Sequence, residues 1–264
     1  MKKILLLLLM ILTVSGCGGE EKKETRIGMI TQLNATPEQA KKFTVGDAID
    51  FYDNFNSMQM ALASEKVQAI QTHGSVARYM TANNSDFVIK ELQTVKLVDN
   101  FCCAMREDDA DLRKSFDTAI DAMKTDGTLN TLIDEYINHP LEIPPSVEIS
   151  KIDGANTIKV GITGDLPPLD LILADGTPAG FNTAVLAEIS KRIGKNIELV
   201  QIDSGARAAA LTSGQVDVIF WVLVPADNSE RPKDFDTPAG VAVTEAYYQD
   251  KVNYVTLVEL AGAL

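Results

Sequence analysis

The chain has 264 residues, enough for one large domain or two small lobes. Its 24 basic and 37 acidic residues give a net charge of −13, which argues against nucleic acid or an anionic membrane surface as partner; a small ligand stays open, because a local pocket can oppose the global sign. Cys102 and Cys103 are adjacent in "NFCCAMR" and read as free thiols in a buried strand, since neighbouring cysteines rarely bridge; neither they nor His73 and His139 have metal-site spacing, so no metal or other cofactor is expected.

At the N-terminus Lys2 and Lys3 precede the apolar run "ILLLLLMILTV", and Ser15 and Gly16 lead into Cys17. A charged start, an apolar core too short to span a bilayer and a small-residue cleavage site describe a signal peptide over residues 1–16. "VSGC" also resembles the lipobox of bacterial lipoproteins, which implies cleavage before Cys17, lipidation of its thiol and anchoring at the extracytoplasmic face of the cytoplasmic membrane. Loss of the two lysines takes the mature charge to −15. The polar segment "GGEEKKET" suits a flexible tether.

Next comes a strand, "RIGMIT" (26–31), and "ITQLNATPEQ" sets Thr31, Gln32 and Asn34 ahead of a helix start at Thr36-Pro37, an anion-attracting helix end or a plain cap. "ALASEKVQAI" (61–70) reads as helix end, turn and apolar strand, after which "QTHGSVARY" places Thr72, His73 and Ser75. "LVDNFCCAMR" is an apolar strand. In "DLRKSFDTAIDAMKTDG", Leu112, Phe116, Ile120 and Met123 share one helical face that Asp126-Gly127 closes, and "LNTLIDEYI" follows as a second helix. "HPLEIPPSVEISKIDGA" has three prolines and no helical period, and reads as an extended surface connector.

Beyond it the pattern begins again. "IKVGIT" (158–163) echoes "RIGMIT", and "ALTSGQVDVI" (210–219) echoes "ALASEKVQAI". "GFNTAVLAEISKRIG" buries Val185, Leu186, Ile189 and Ile193 on one face and ends at Gly194. Trp221 ends the strand "VDVIFW". Strands alternating with helices imply parallel sheets covered by helices, hence two α/β lobes, each with its own sheet. Ligands of such sheets bind beyond the carboxyl ends of the strands. In the second half the candidates there are Asp165 and Asp170 in "TGDLPPLD", Asn182 after Gly180-Phe181, Trp221, and the cation Arg207 in "SGARAAAL". Each has a plainer alternative: solvated turn acids, a helix cap, a core ring, a helix-surface charge.

The stretch "IKVGITGDLPPLDLILADGTPAGFNTAVLAEISKRIG", with "AALTSGQVDVIF", "SERPKDFD" and "TEAYYQDKVNYVTL", resembles the first lobe of the family 3 extracytoplasmic solute-binding proteins, the amino-acid receptors of ABC importers. "RIGMITQLNATPEQ", "ALASEKVQAIQTHGSVARYM" and "NFCCAMREDDADLRKSFDTAIDAMKTDGTLNTLIDEYI" resemble the remainder. The resemblance implies two Rossmann-like α/β lobes joined by a hinge, the type II periplasmic-binding-protein fold, here in circularly permuted order. Its parts are a tether (17–25), lobe two (26–97), a return strand with C-terminal helices packing on lobe one (98–138), a permutation linker (139–156), and lobe one with a crossover strand (157–264). The crossings would be "LVDNFCCAMR" and "KVNYVTLVE". A rival arrangement is two unrelated half-domains pairing between chains.

The resemblance also implies site roles. Arg231 matches the family arginine that holds a ligand α-carboxylate, although its loop is longer than the family pattern. His73 stands where the family has the acid that grips the ligand ammonium, and Asn182 where it has Asp, so ammonium recognition in the usual manner is not expected. The function implied is a lipid-anchored receptor that captures a small polar solute, an amino acid or related carboxylate or amide, and delivers it to an ABC permease. The alternatives are a sensing module without transport and an enzyme resembling cyclohexadienyl dehydratases. No catalytic residues are assigned, because no nucleophile–base pair stands out.

Overall fold

The structure is a computed structural model that describes residues 24–91 and 96–262. The signal peptide, Cys17 and most of the tether lie outside the described residues.

The first half builds β1 (Arg26–Ile30), α1 (Pro37–Ala40), β2 (Ala48–Tyr52), α2 (Phe55–Ala63), β3 (Ala69–His73), α3 (Gly74–Asn83) and β4 (Phe87–Lys90). A long strand, β5 (Val98–Arg106), then leads to α4 (Ala110–Thr125) and α5 (Thr128–Ile133). After the connector come β6 (Thr157–Ile162), the short strands β7 (Asp165–Leu166), β8 (Asp170–Ile172) and β9 (Pro178–Ala179), then α6 (Phe181–Ile193), β10 (Asn196–Gln201), α7 (Arg207–Thr212), β11 (Val218–Pro225), β12 (Val241–Val243) and β13 (Tyr248–Leu257).

Two parallel cores result, β2-β1-β3 and β10-β6-β11. Each is extended by one antiparallel strand from the other half of the chain: β13 lies on β3, and β5 lies on β11. β5 and β13 pair with each other over Tyr248↔Phe101 to Lys251↔Val98, so they join the two cores into one continuous path. This is a two-lobed type II binding-protein architecture. Strands covered on both faces read as unbroken apolar runs, and β5 and β11 are buried along nearly their whole length.

Helix α4 turns Phe116, Ala119, Ile120 and Met123 into the core and stops at Gly127, whose φ of +83° suits a residue without a Cβ. Phe220 of β11 stacks on Tyr247 at 5.1 Å, with Phe181 beside it. Fully burying such side chains contributes about 1.5–3 kcal/mol each. The start of α6 depends on Gly180: at φ +96° a Cβ there would stand 2.7 Å from the carbonyl oxygens of Pro168 and Leu169. Those same carbonyls accept from the Phe181 and Asn182 amides.

The connector is less free than its composition suggests. Asn196 accepts from the Ile152 amide and donates to the carbonyls of Ile152 and Ala155, while Val147 N–H donates to Pro178. Trp221 does not end its strand. β11 runs on to Pro225, and its register against β5 shifts between Ile219 and Val222. Trp221 occupies this bulge with a φ of +53°, a left-handed conformation that side-chain-bearing residues rarely adopt.

Candidate functional site

The carboxyl ends of β1 and β3 face β5 and β11 across a small cavity of about 40 Å³, room for no more than a few waters. Gln32, Thr72 and His73 line it from one lobe, Trp221 and Arg231 from the other, and Asp99 from β5.

At its centre is a buried ionic group. Arg231 Nη2 donates to Asp99 Oδ2 at 2.8 Å, and His73 Nε2 meets the same oxygen at 3.0 Å. A carboxylate only accepts, so the imidazole carries its proton on Nε2 and donates. Burial pushes the Asp99 carboxyl up, but the His73 hydrogen bond and the Arg231 charge outweigh it and hold the group below its ordinary range. Four atoms of residues that line the cavity are buried without a hydrogen-bond partner: the donors Trp221 Nε1 and Arg231 Nε, and the acceptors Gln32 Oε1 and Asp99 Oδ1.

Around the cavity, aspartates of lobe one cap amides of lobe two. Asp236, 3% exposed, accepts from the backbone N–H groups of Leu33, Asn34 and Ala35 at 3.1, 2.7 and 3.0 Å. Asp165 accepts from Phe55 N–H at 2.8 Å, one of the free donors at the start of α2. Burial raises the Asp165 carboxyl from 3.8 to about 6 against that hydrogen bond. The folded chain therefore binds more protons than the unfolded chain between those values, and stability drops as pH rises through about 6. Asp165→Asn should flatten this part of the pH profile; urea midpoints at pH 4.5, 6 and 7.5 with an unchanged slope would count against it.

Gln32, Thr72, His73, Trp221 and Arg231 are thus brought together, and the rest of the sequence candidates stand elsewhere. Arg231 reaches the cleft despite its longer loop, but Asp99 already neutralises its charge. His73 offers Nε2 to Asp99 and not to a ligand. Asp170 is fully buried within lobe one and holds the turn after β6 through Thr163 and Gly164 N–H. Asn182 is neither a cap nor a cleft residue: Gly180 takes the cap position, and Asn182 Oδ1 accepts from Tyr247 O–H. Arg207 is no surface charge. It lies beneath Trp221 with its guanidinium 3.9 Å from the ring centroid, and donates to the Trp221 and Ser204 carbonyls, where burial lowers it to about 10. Ser75 is buried, its amide bonded to Asp250. Thr31 O–H donates to Asp53, and the Asn34 side chain is exposed while its amide serves Asp236.

Asp99 and Asp236 escaped the sequence reading. For Asp99 a signal existed: a single acid inside the apolar run "LVDNFCCAM" must be paired when the strand is buried on both faces. Nothing local marks Asp236, whose partners lie more than two hundred positions away.

The sequence pattern of the bacterial extracellular solute-binding proteins, family 3, matches residues 20–139 and 158–254. Among curated proteins, the L-cystine-binding protein TcyJ of Escherichia coli is 26% identical over 98 residues, 37% of either chain. A probable histidine-binding protein of Campylobacter jejuni is 30% identical over 101 residues, 38% of this chain and 36% of that one. The chain therefore matches little more than a third of the length of these relatives. Among solved structures, a putative L-cystine ABC transporter from Listeria monocytogenes aligns over 89% of this chain and 83% of its own at 13% identity and a TM-score of 0.42. Holo ArgBP from T. maritima aligns over 90% and 84% at 12% identity and a TM-score of 0.41. No helix among the described residues is long and apolar enough to cross a membrane.

Proposed function

Because this chain belongs to the bacterial extracellular solute-binding proteins, family 3, we propose that it captures a small polar solute in the interlobe cleft and delivers it to an ABC permease. The solute class is an amino acid or a related carboxylate or amide. Cystine and histidine, which the names of similar proteins carry, are the first compounds to try. The chain acts as a receptor and not as an enzyme. It is held at the extracytoplasmic face by a lipid on Cys17 after removal of residues 1–16. The order of its parts is that of a circular permutant, with lobe two (26–97) ahead of lobe one (157–264) and residues 139–156 as the joining segment; the two separate blocks of family similarity, interrupted near this segment, support that reading.

The observation that carries the proposal is the set of unpaired atoms around the cavity. Two buried donors and two buried acceptors, on Trp221, Arg231, Gln32 and Asp99, lack partners around this small cavity. Each unsatisfied buried group is unfavourable by about 1–3 kcal/mol. A solute with both an acceptor and a donor end satisfies them together, and closure of the lobes then removes it from water.

Thermal unfolding of the mature chain against a panel of amino acids, carboxylates and amides tests this. A ligand at a hundred times its dissociation constant should stabilise the fold by about 2.7 kcal/mol. A flat response across the whole panel would sink the proposal.

A further inference from the structure

We infer that Asp99, on the strand that crosses between the lobes, receives the cationic, N–H-donating end of the solute. The inference rests on the receptor reading above and assigns one end of the ligand to one residue.

Asp99 is 0% exposed and sits in the cavity wall. Only one of its oxygens is engaged. Oδ2 takes both hydrogen bonds, from Arg231 at 2.8 Å and from His73 at 3.0 Å, while Oδ1 has no partner. A carboxylate oxygen can be satisfied only by a donor. The nearby donors Arg231 Nη2 and His73 Nε2 both point at the other oxygen. The unpaired donors Trp221 Nε1 and Arg231 Nε make no hydrogen bond to Oδ1 either, which leaves it to a donor that arrives with a solute.

The surrounding groups sharpen this. Arg231 and His73 act as positioning residues: by gripping Oδ2 from the two lobes they fix which oxygen faces free, and they keep the carboxyl ionised despite its burial. Gln32 Oε1 is a second unpaired acceptor on the same cavity, whereas Trp221 Nε1 and Arg231 Nε are unpaired donors. The cavity thus offers acceptors to one end of a solute and donors to the other, and Asp99 is the charged member of the acceptor pair. An ammonium there replaces an orphan oxygen by a charge-assisted hydrogen bond.

The experiment is a calorimetric titration of the mature chain with two matched pairs of probes: L-histidine against 3-(imidazol-4-yl)propionate, and L-cystine against 3,3′-dithiodipropionate. The second member of each pair keeps the carboxylates and lacks the amine. Wild-type protein should prefer the amine-bearing member of a pair it binds by about 10- to 100-fold, the range of one hydrogen bond to a charged group. In Asp99→Asn the preference should shrink to a few-fold. If that variant does not fold, Asp99→Glu, which keeps a charge for Arg231, should weaken the amine-bearing member more than its partner. Equal wild-type affinity for both members of a pair, or a full preference retained in the variant, overturns the role of Asp99 and leaves the receptor reading standing. Wild-type protein that binds no member of either pair overturns this assignment, while the broader solute panel decides whether the receptor reading falls with it.

Discussion

Replacing Asp236 by alanine should weaken the closed form by about 2–4 kcal/mol and let the two lobes part. The carboxylate takes three successive backbone N–H groups from the segment that follows β1, and it reaches them from the loop after β11. Hydrogen bonds to a charged acceptor are each worth about 1.5–3 kcal/mol. The net figure is smaller than their sum, because the freed amides regain water when the cleft opens. Burial raises the Asp236 carboxyl, opposed by the Ala35, Asn34 and Leu33 amides and by the nearby Arg207 charge, so the contact sits in a desolvated site where its removal is felt. Small-angle scattering should report a larger radius of gyration for Asp236→Ala, and urea denaturation a lower midpoint. Asp236→Asn, which keeps an acceptor oxygen, should fall between variant and wild type. Unchanged scattering and midpoint in Asp236→Ala would show that other contacts hold the lobes.

Arg231→Met should be the more damaging change, at about 3–5 kcal/mol. It removes the cation from a pair in which Asp99 is 0% and the Arg231 side chain 6% exposed, and leaves the carboxylate without its charge partner. Breaking a buried pair by deleting one member is unfavourable on this scale, because the remaining charge has lost both its water and its partner. His73 would still donate to Asp99 but does not replace the fixed guanidinium charge. Adding Asp99→Asn to Arg231→Met should recover a substantial share of the loss, since the group left behind is then neutral. Denaturation midpoints of the two single variants and the double variant form a closed cycle. Strict additivity would mean that the pair contributes nothing as a pair.

Much of the architecture was legible in the chain. The 3.6-residue period of "DLRKSFDTAIDAMKTDG" and "GFNTAVLAEISKRIG", each closed by a glycine, sets α4 and α6 almost to the residue. The repeated strand and helix-to-strand segments mark two parallel cores. These are short-range signals, and periodicity and capping need only neighbours within a few positions. The candidate site was legible only in part. Gln32, Thr72, His73 and Trp221 were found because they follow or lie in strands whose ends meet, and the fold class alone says that such ends converge; Arg231 was found through the family resemblance. Their roles were not, because each depends on a partner far along the chain: Arg231 on Asp99 at a separation of 132 residues, His73 on the same carboxylate at 26.

Arg207 shows the division most clearly. Its surroundings in "SGARAAAL" describe a helix-surface charge, and the helix does form, but the side chain turns under Trp221 and is 2% exposed. Hydrophobic spacing and glycine placement were enough to set which segments become strands and helices, and the acidic excess follows from composition alone. Which charges lose their water, and which oxygen of Asp99 is left without a partner, follows from the packing of β5 and β13 between the lobes. Secondary structure answers to forces between near neighbours, whereas desolvation and charge pairing answer to whatever the folded chain brings alongside.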